Sequence, residues 1–144
     1  MTDETLRAVD LTRIGRAHYQ ATNARGGRLE FGKGNSDQFT PVELLLTAIA
    51  GCGAADIDFI TSKRAEPIRF EVRMTGNKTR DESGNHLTDL SLFFDIAFPD
   101  DEAGDLARDV LPGSVTQSHD RLCTVSRTVE LGTPVAVHLN GAKG

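Results

Sequence analysis

Two residues in the chain can do covalent chemistry at neutral pH, the cysteines Cys52 and Cys123. A thiolate attacks electrophilic oxygen or sulfur, whereas a thiol with its ordinary pKa is mostly uncharged and inert. Cys52 sits between Gly51 and Gly53 in the apolar run LLLTAIAGCGAA. Cys123 stands at the start of a short helix candidate, where free N–H groups and the helix dipole favour the charged form. The two are far apart in sequence, but a buried central helix is the element that other segments most readily reach. The alternative is that both are small apolar core residues. In a reducing compartment a cysteine pair seldom forms a permanent bridge, and a disulfide there is usually transient and catalytic or redox-sensing. The expected compartment is the cytoplasm, because MTDETLRAVDLTRIGR is charged throughout and has no signal-peptide core.

The remaining titratable groups offer less. Asp56 lies four residues after Cys52 on the same helix face, where a carboxylate raises a thiol pKa unless a cation offsets it. It is expected to pair with an arginine or to hydrogen-bond at a subunit contact. Glu43 and Cys52 point to opposite faces of a regular helix, since nine residues turn it through about 900°, so Glu43 reads as a cap. His119 lies four residues before Cys123 and is either a proton partner for it or a solvated histidine at a helix end. The histidines His18, His86, His119 and His138 are scattered, with no C-x-x-C or H-x-x-x-H pair, so neither a metal site nor a cofactor is expected. A formal net charge of -5, with no basic run, argues against nucleic acid.

The elements that must position the thiols are organised by the stretch from Phe39 to Ile60. Thr40 can cap its start, Pro41 suits a first turn and Glu43 completes a capping box. Leu44 to Ala55 carries no charge and is expected to be covered on nearly all sides. Those twelve residues fall short of the roughly twenty that cross a bilayer. Met1 to Gly15 reads as a polar arm. Arg16 to Thr22 and Arg28 to Phe31 suit a hairpin turned at Asn23, Gly26 and Gly27. Ile68 to Met74 and Leu87 to Phe98 alternate with period two around the turn DESGNH, giving a long second hairpin. Acidic residues after Pro99 start a helix containing Leu106, Val110 and Leu111, which Pro112 should kink or restart. Arg121 to Glu130 suits a helix closed by Gly132, and Val135, Val137 and Leu139 a last strand. The order is ββαββααβ, an α+β architecture in one domain spanning residues 1–144. At 144 residues the chain needs no disulfide or metal to stabilise its core.

Together, PVELLLTAIAGCGAADI and RLCTVSRTVE resemble the OsmC/Ohr family, the osmotically inducible and organic hydroperoxide resistance proteins. The resemblance covers most of the chain. It implies an intertwined homodimer with active sites at the subunit interface, and thiol peroxidase chemistry. Cys52 would attack the O–O bond and become a sulfenic acid, and Cys123 would condense with it into a disulfide. A dithiol reductant, in relatives often a lipoyl group on a protein, would restore the pair. An arginine of the N-terminal hairpin would hold the thiolate. Arg25, in the turn, is the favoured match, with Arg28 beside it. The chain departs from the dedicated organic peroxidases at the glutamate position after the motif proline, which is Val42 here. This departure points to the general OsmC-like branch. Ser126 and Arg127 belong to the second motif and read equally as a polar helix face. The rival expectation is a non-catalytic dimer that binds a small hydrophobic ligand, with the cysteines as lining.

Overall fold

The computed structural model describes residues 5–141 and divides into two units, Met1–Thr47 and Ala48–Gly144. Helix α1, Pro41–Thr61, runs from one into the other.

The first unit is an antiparallel meander of β1 Val9–Gly15, β2 His18–Asn23 and β3 Arg28–Phe31. The expected β2–β3 hairpin forms with Ala21 opposite Leu29 and Tyr19 opposite Phe31, whose rings lie 5.6 Å apart. Its turn is fixed by Asn23, whose side-chain oxygen accepts from the backbone N–H groups of Arg25 and Gly27, and by Gly26 at φ +89. The segment read as an arm is corrected over Val9–Gly15, which pairs along β2 with Leu11 opposite Ala21. Backbone pairing makes this strand, and its exposed Val9 and Leu11 explain why no buried face was visible in the pattern. The capping box at the start of α1 forms as read. The Thr40 N–H donates to Glu43 Oε1 at 2.9 Å, and the Glu43 N–H donates to Thr40 Oγ1 at 3.2 Å.

In the second unit, the buried residues of α1 form one stripe, Ile49, Gly53, Ile57 and Thr61. Within one chain the cover is this stripe, short of the nearly all-round cover expected. A Cβ on Gly53 would lie 3.4 Å from Phe94 and 3.5 Å from Leu92, so glycine brings the helix close to the sheet. Phe59, on another face, is 69% exposed. At 21 residues α1 is long and apolar enough, by length and composition, to cross a membrane. It also carries Glu43, Asp56 and Asp58.

The sheet of this unit is one hairpin, β4 Arg69–Asp81 and β5 Gly84–Ala97, with a bulge between Thr75 and Asn77. It extends beyond the alternating residues because ladder bonds continue where the apolar face stops. Helix α2, Glu102–Gln117, starts at Asp101, whose carboxylate accepts the Gly104 N–H at 2.7 Å. It runs through Pro112 without the restart that was one of the two expected outcomes. Proline removes one intrahelical bond, and Ala107 and Ser114 are buried on either side of it. A single π-helical turn, Ser118–Leu122, leads into α3, Thr124–Leu131, which Gly132 closes at φ 64 as read. Val135, Val137 and Leu139 form no strand among the described residues and are more than four-fifths exposed, since no sheet edge of the chain pairs with them.

A Cβ on Gly104 would lie 1.8 Å from the Pro99 carbonyl oxygen, a backbone atom that cannot swing aside. Gly104→Ala is therefore expected to lower unfolding free energy by about 2 kcal/mol or more through overpacking, measured by urea denaturation. An unchanged midpoint would contradict that packing.

Candidate active site

Cys52 is held in mid-helix on α1, half-buried, and Asp56 lies one turn further on. Cys123 is the N-cap of α3 and is 1% exposed. The two thiol sulfurs and an Asp56 carboxylate oxygen all lie within 4.8 Å of one another. Both cysteines are free thiols. The structure thus brings together the residues that the sequence left far apart, and it adds the carboxylate to them.

Two serines fix the arrangement. Ser118, buried in the π-helical turn, donates to Asp56 Oδ2 at 2.8 Å and ties that turn to α1. Its carbonyl accepts the Cys123 N–H at 2.9 Å. Ser126 lies three residues into α3, with its Oγ 3.3 Å from Cys123 Sγ and its N–H donating to that sulfur at 3.4 Å. Ser126 therefore has a contact that its motif position did not specify. Ser118 carried no sequence signal, because its partner is distant in the chain.

The electrostatics of the pair are unequal. Burial raises the Cys52 pKa, and the Cys123 thiol and the Asp56 charge add to the rise, against a lowering hydrogen bond to the Val125 backbone. Burial also acts to raise Cys123, but the Ser126 hydroxyl, the Cys52 thiol and the Ser126 N–H outweigh it and leave that pKa lowered. Within the second unit, then, the Ser126 hydroxyl leads the groups that lower the Cys123 pKa, while Cys52 lacks a cation among the groups acting on it.

Asp56 is turned to Ser118 and the thiols, and within the chain its hydrogen bond is to Ser118 and not to an arginine. His119 is not a proton partner for Cys123. Its Nδ1 lies 2.8 Å from Asp120 and its Nε2 3.0 Å from Glu130, so both ring nitrogens are engaged by carboxylates. Arg127 pairs with Glu130. Arg25 belongs to the first unit, exposed in the β2–β3 turn, and Arg28 lies in β3. Beside Cys123 is a cavity of about 150 Å³ lined by Gly53, Leu92, Phe94, Val115 and Ser118 among others. A neighbouring cavity of about 250 Å³, lined by Ile49, Met74, Leu90 and Val129, shares Leu92, His119 and Ser126 with it.

A family model described as OsmC-like protein matches residues 33–138, which include both cysteines and the helices that carry them. The chain belongs to the OsmC-like family. Its fold resembles that of a hypothetical protein from Aquifex aeolicus VF5 at 19% identity, with a TM-score of 0.70 and 89% of each chain covered. An OsmC like protein from Mycoplasma pneumoniae is similar at 14% identity, TM-score 0.68, again over 89% of each chain. The organic hydroperoxide resistance protein OhrB of Bacillus subtilis is similar at 17% identity and TM-score 0.51, over 84% of this chain and 90% of that one. At these identities the likeness is one of fold. No curated protein matches the sequence significantly. The OsmC-like chain keeps the α+β architecture expected for it, antiparallel sheets with one long helix.

Hydrogen bonds accepted by the Asp120 and then the Glu130 carboxylates raise the His119 pKa above its ordinary value of 6.5. A raised folded-state value means stability present below about pH 6.5 and lost as pH rises through the folded pKa. His119 is 58% exposed, so the contribution is screened and should stay under about 1 kcal/mol. In His119→Gln the stability difference between pH 5.5 and pH 8 should shrink by that amount in paired denaturation curves. An undiminished difference would show that these ion pairs are not formed in solution.

Proposed function

We propose that this OsmC-like protein reduces hydroperoxides with Cys52 and Cys123 as a reversible dithiol. The single observation that supports this reading most is the meeting of the two thiols within 4.8 Å, one half-exposed on α1 and the other buried at a helix N-terminus. Cys52, the more accessible, is the attacking group. Its thiolate takes the terminal oxygen of the peroxide, the O–O bond breaks, and the leaving alkoxide collects a proton and departs as alcohol. Cys123 then displaces hydroxide from the sulfenic sulfur, which leaves as water after protonation, and the S–S bond closes. Two thiols and one hydroperoxide become one disulfide, one alcohol and one water. A dithiol, such as a lipoyl group on a protein, returns the pair to its reduced state by exchange.

Cys52 needs a positive charge for this, because its surroundings in the second unit raise its pKa. Arg25 is the residue we assign to supply it, from the exposed hairpin turn of the first unit. The apolar cavity beside Cys123 suits an alkyl group, so organic hydroperoxides are the favoured substrates.

The working form is a homodimer. Val42, Leu45 and Phe59 of α1 are 42%, 40% and 69% exposed, and the alternating Val135, Val137 and Leu139 are unpaired in the chain. A second copy would cover the helix and accept the extended segment at a sheet edge. Phe59→Glu is expected to shift sedimentation toward monomer. Wild-type protein that sediments as monomer at every concentration would remove the dimer from the proposal.

A second reading rests on the same apolar cavities, as a site for a small hydrophobic ligand that needs no redox step. Reduced protein exposed to one equivalent of tert-butyl hydroperoxide separates the two. The redox reading expects loss of both thiols per chain in wild type, protection of Cys123 in Cys52→Ser, and at least tenfold slower loss in Arg25→Ala. Unchanged thiol loss in Cys52→Ser would reject it. A rise in melting temperature with a fatty acyl ligand that survives Cys52→Ser/Cys123→Ser would favour the binding reading.

A further inference from the structure

The trio at the centre of the second unit has the composition of a metal centre as well as of a redox pair. Two sulfurs and one carboxylate oxygen, from Cys52, Cys123 and Asp56, share a region in which no two are more than 4.8 Å apart. In a tetrahedral zinc site, bonds of about 2.3 Å to sulfur and 2.0 Å to oxygen put neighbouring sulfurs about 3.8 Å apart and sulfur and oxygen about 3.5 Å apart. Closing the trio to those spacings shortens the sulfur–sulfur pair by at most about 1.0 Å and each sulfur–oxygen pair by at most about 1.3 Å. Asp56 and Cys52 project from adjacent turns of one helix, and Cys123 faces them from a helix start whose free N–H groups favour a negatively charged ligand. The carboxylate also has an outer partner, since Ser118 donates to its Oδ2 at 2.8 Å and leaves the other oxygen for a cation. A search for paired cysteines or histidines passes over this set, because its third member is an aspartate and its second cysteine comes from another element.

We propose that the reduced Cys52–Asp56–Cys123 cluster binds a thiophilic cation of the Zn2+ class, one per chain, with the fourth position open to water or a small ligand. Binding displaces the protons of the two thiols and places a divalent charge among three anionic groups. Thiolate sulfur selects zinc, cadmium or cobalt over magnesium and calcium, which take oxygen ligands. Disulfide formation removes both sulfur ligands, so the site exists only in the reduced protein. This inference needs the thiols to be adjacent and does not need the protein to be a peroxidase.

The test uses reduced full-length protein titrated anaerobically with Co2+ and Cd2+, read by sulfur-to-metal charge-transfer absorption, with Zn2+ affinity from competition against a chromophoric chelator. One ion per chain is expected, with tetrahedral Co2+ bands. Cys52→Ser and Cys123→Ser should each lose about half the charge-transfer intensity per site and weaken binding at least a hundredfold. Asp56→Asn should keep the sulfur bands and weaken binding at least tenfold, and Ser118→Ala should weaken it roughly tenfold through the outer contact. Oxidation to the disulfide should expel the ion. No charge-transfer band, one ion per two chains, or equal affinity in Asp56→Asn and wild type would overturn the proposal. Should Asp56→Asn fail to fold, the Ser118→Ala and single-cysteine titrations decide on the same criteria. Thiol loss to hydroperoxide is counted separately in metal-free protein, so either reading can fail while the other stands.

Discussion

The site depends on one hydrogen bond, from the buried Ser118 hydroxyl to Asp56 at 2.8 Å. It joins the helix that carries Cys52 to the π-helical turn that delivers Cys123. The Ser118 carbonyl then holds the Cys123 backbone N–H, so a single residue sets both the height of the turn against α1 and the start of α3. A π turn widens the helix by one residue, and such turns recur at functional sites because they re-aim the side chains beyond them. Here it aims a cysteine at a cysteine.

That placement has an electrostatic consequence. Burial and the Asp56 charge act against ionisation of both thiols, and the hydrogen bonds from Ser126 relieve only Cys123. The cluster is therefore short of positive charge. The proposed activating arginine and the proposed metal ion would each meet that need, with different chemistry. Under the first proposal the pair would be free to meet peroxide, whereas under the second both sulfurs would be occupied.

Helix α1 carries a related imbalance. Its buried stripe of Ile49, Gly53, Ile57 and Thr61 is a single face, although apolar residues surround most of the helix. An amphipathic helix would need nothing more, but this one leaves Leu45 and Phe59 in water. The extended Val135–Leu139 segment leaves a second apolar surface uncovered. Both are surfaces that one chain does not cover by itself.

The sequence by itself determined what short-range physics controls. The capping box of Thr40 and Glu43 starts α1, Gly132 in the left-handed region ends α3, and period-two alternation builds the β4–β5 hairpin, because each signal acts within a few residues. The two motifs were also enough to indicate the family. Tertiary structure alone decided that Val9–Gly15 pairs as a strand, that α2 continues through Pro112, and that His119 turns to Asp120 and Glu130 instead of Cys123. It also decided that Asp56 and Ser118 belong to the thiol site. Those outcomes arise from contacts between residues distant in the chain, whose free energy depends on packing and solvation at the meeting point and leaves no periodic trace in the sequence.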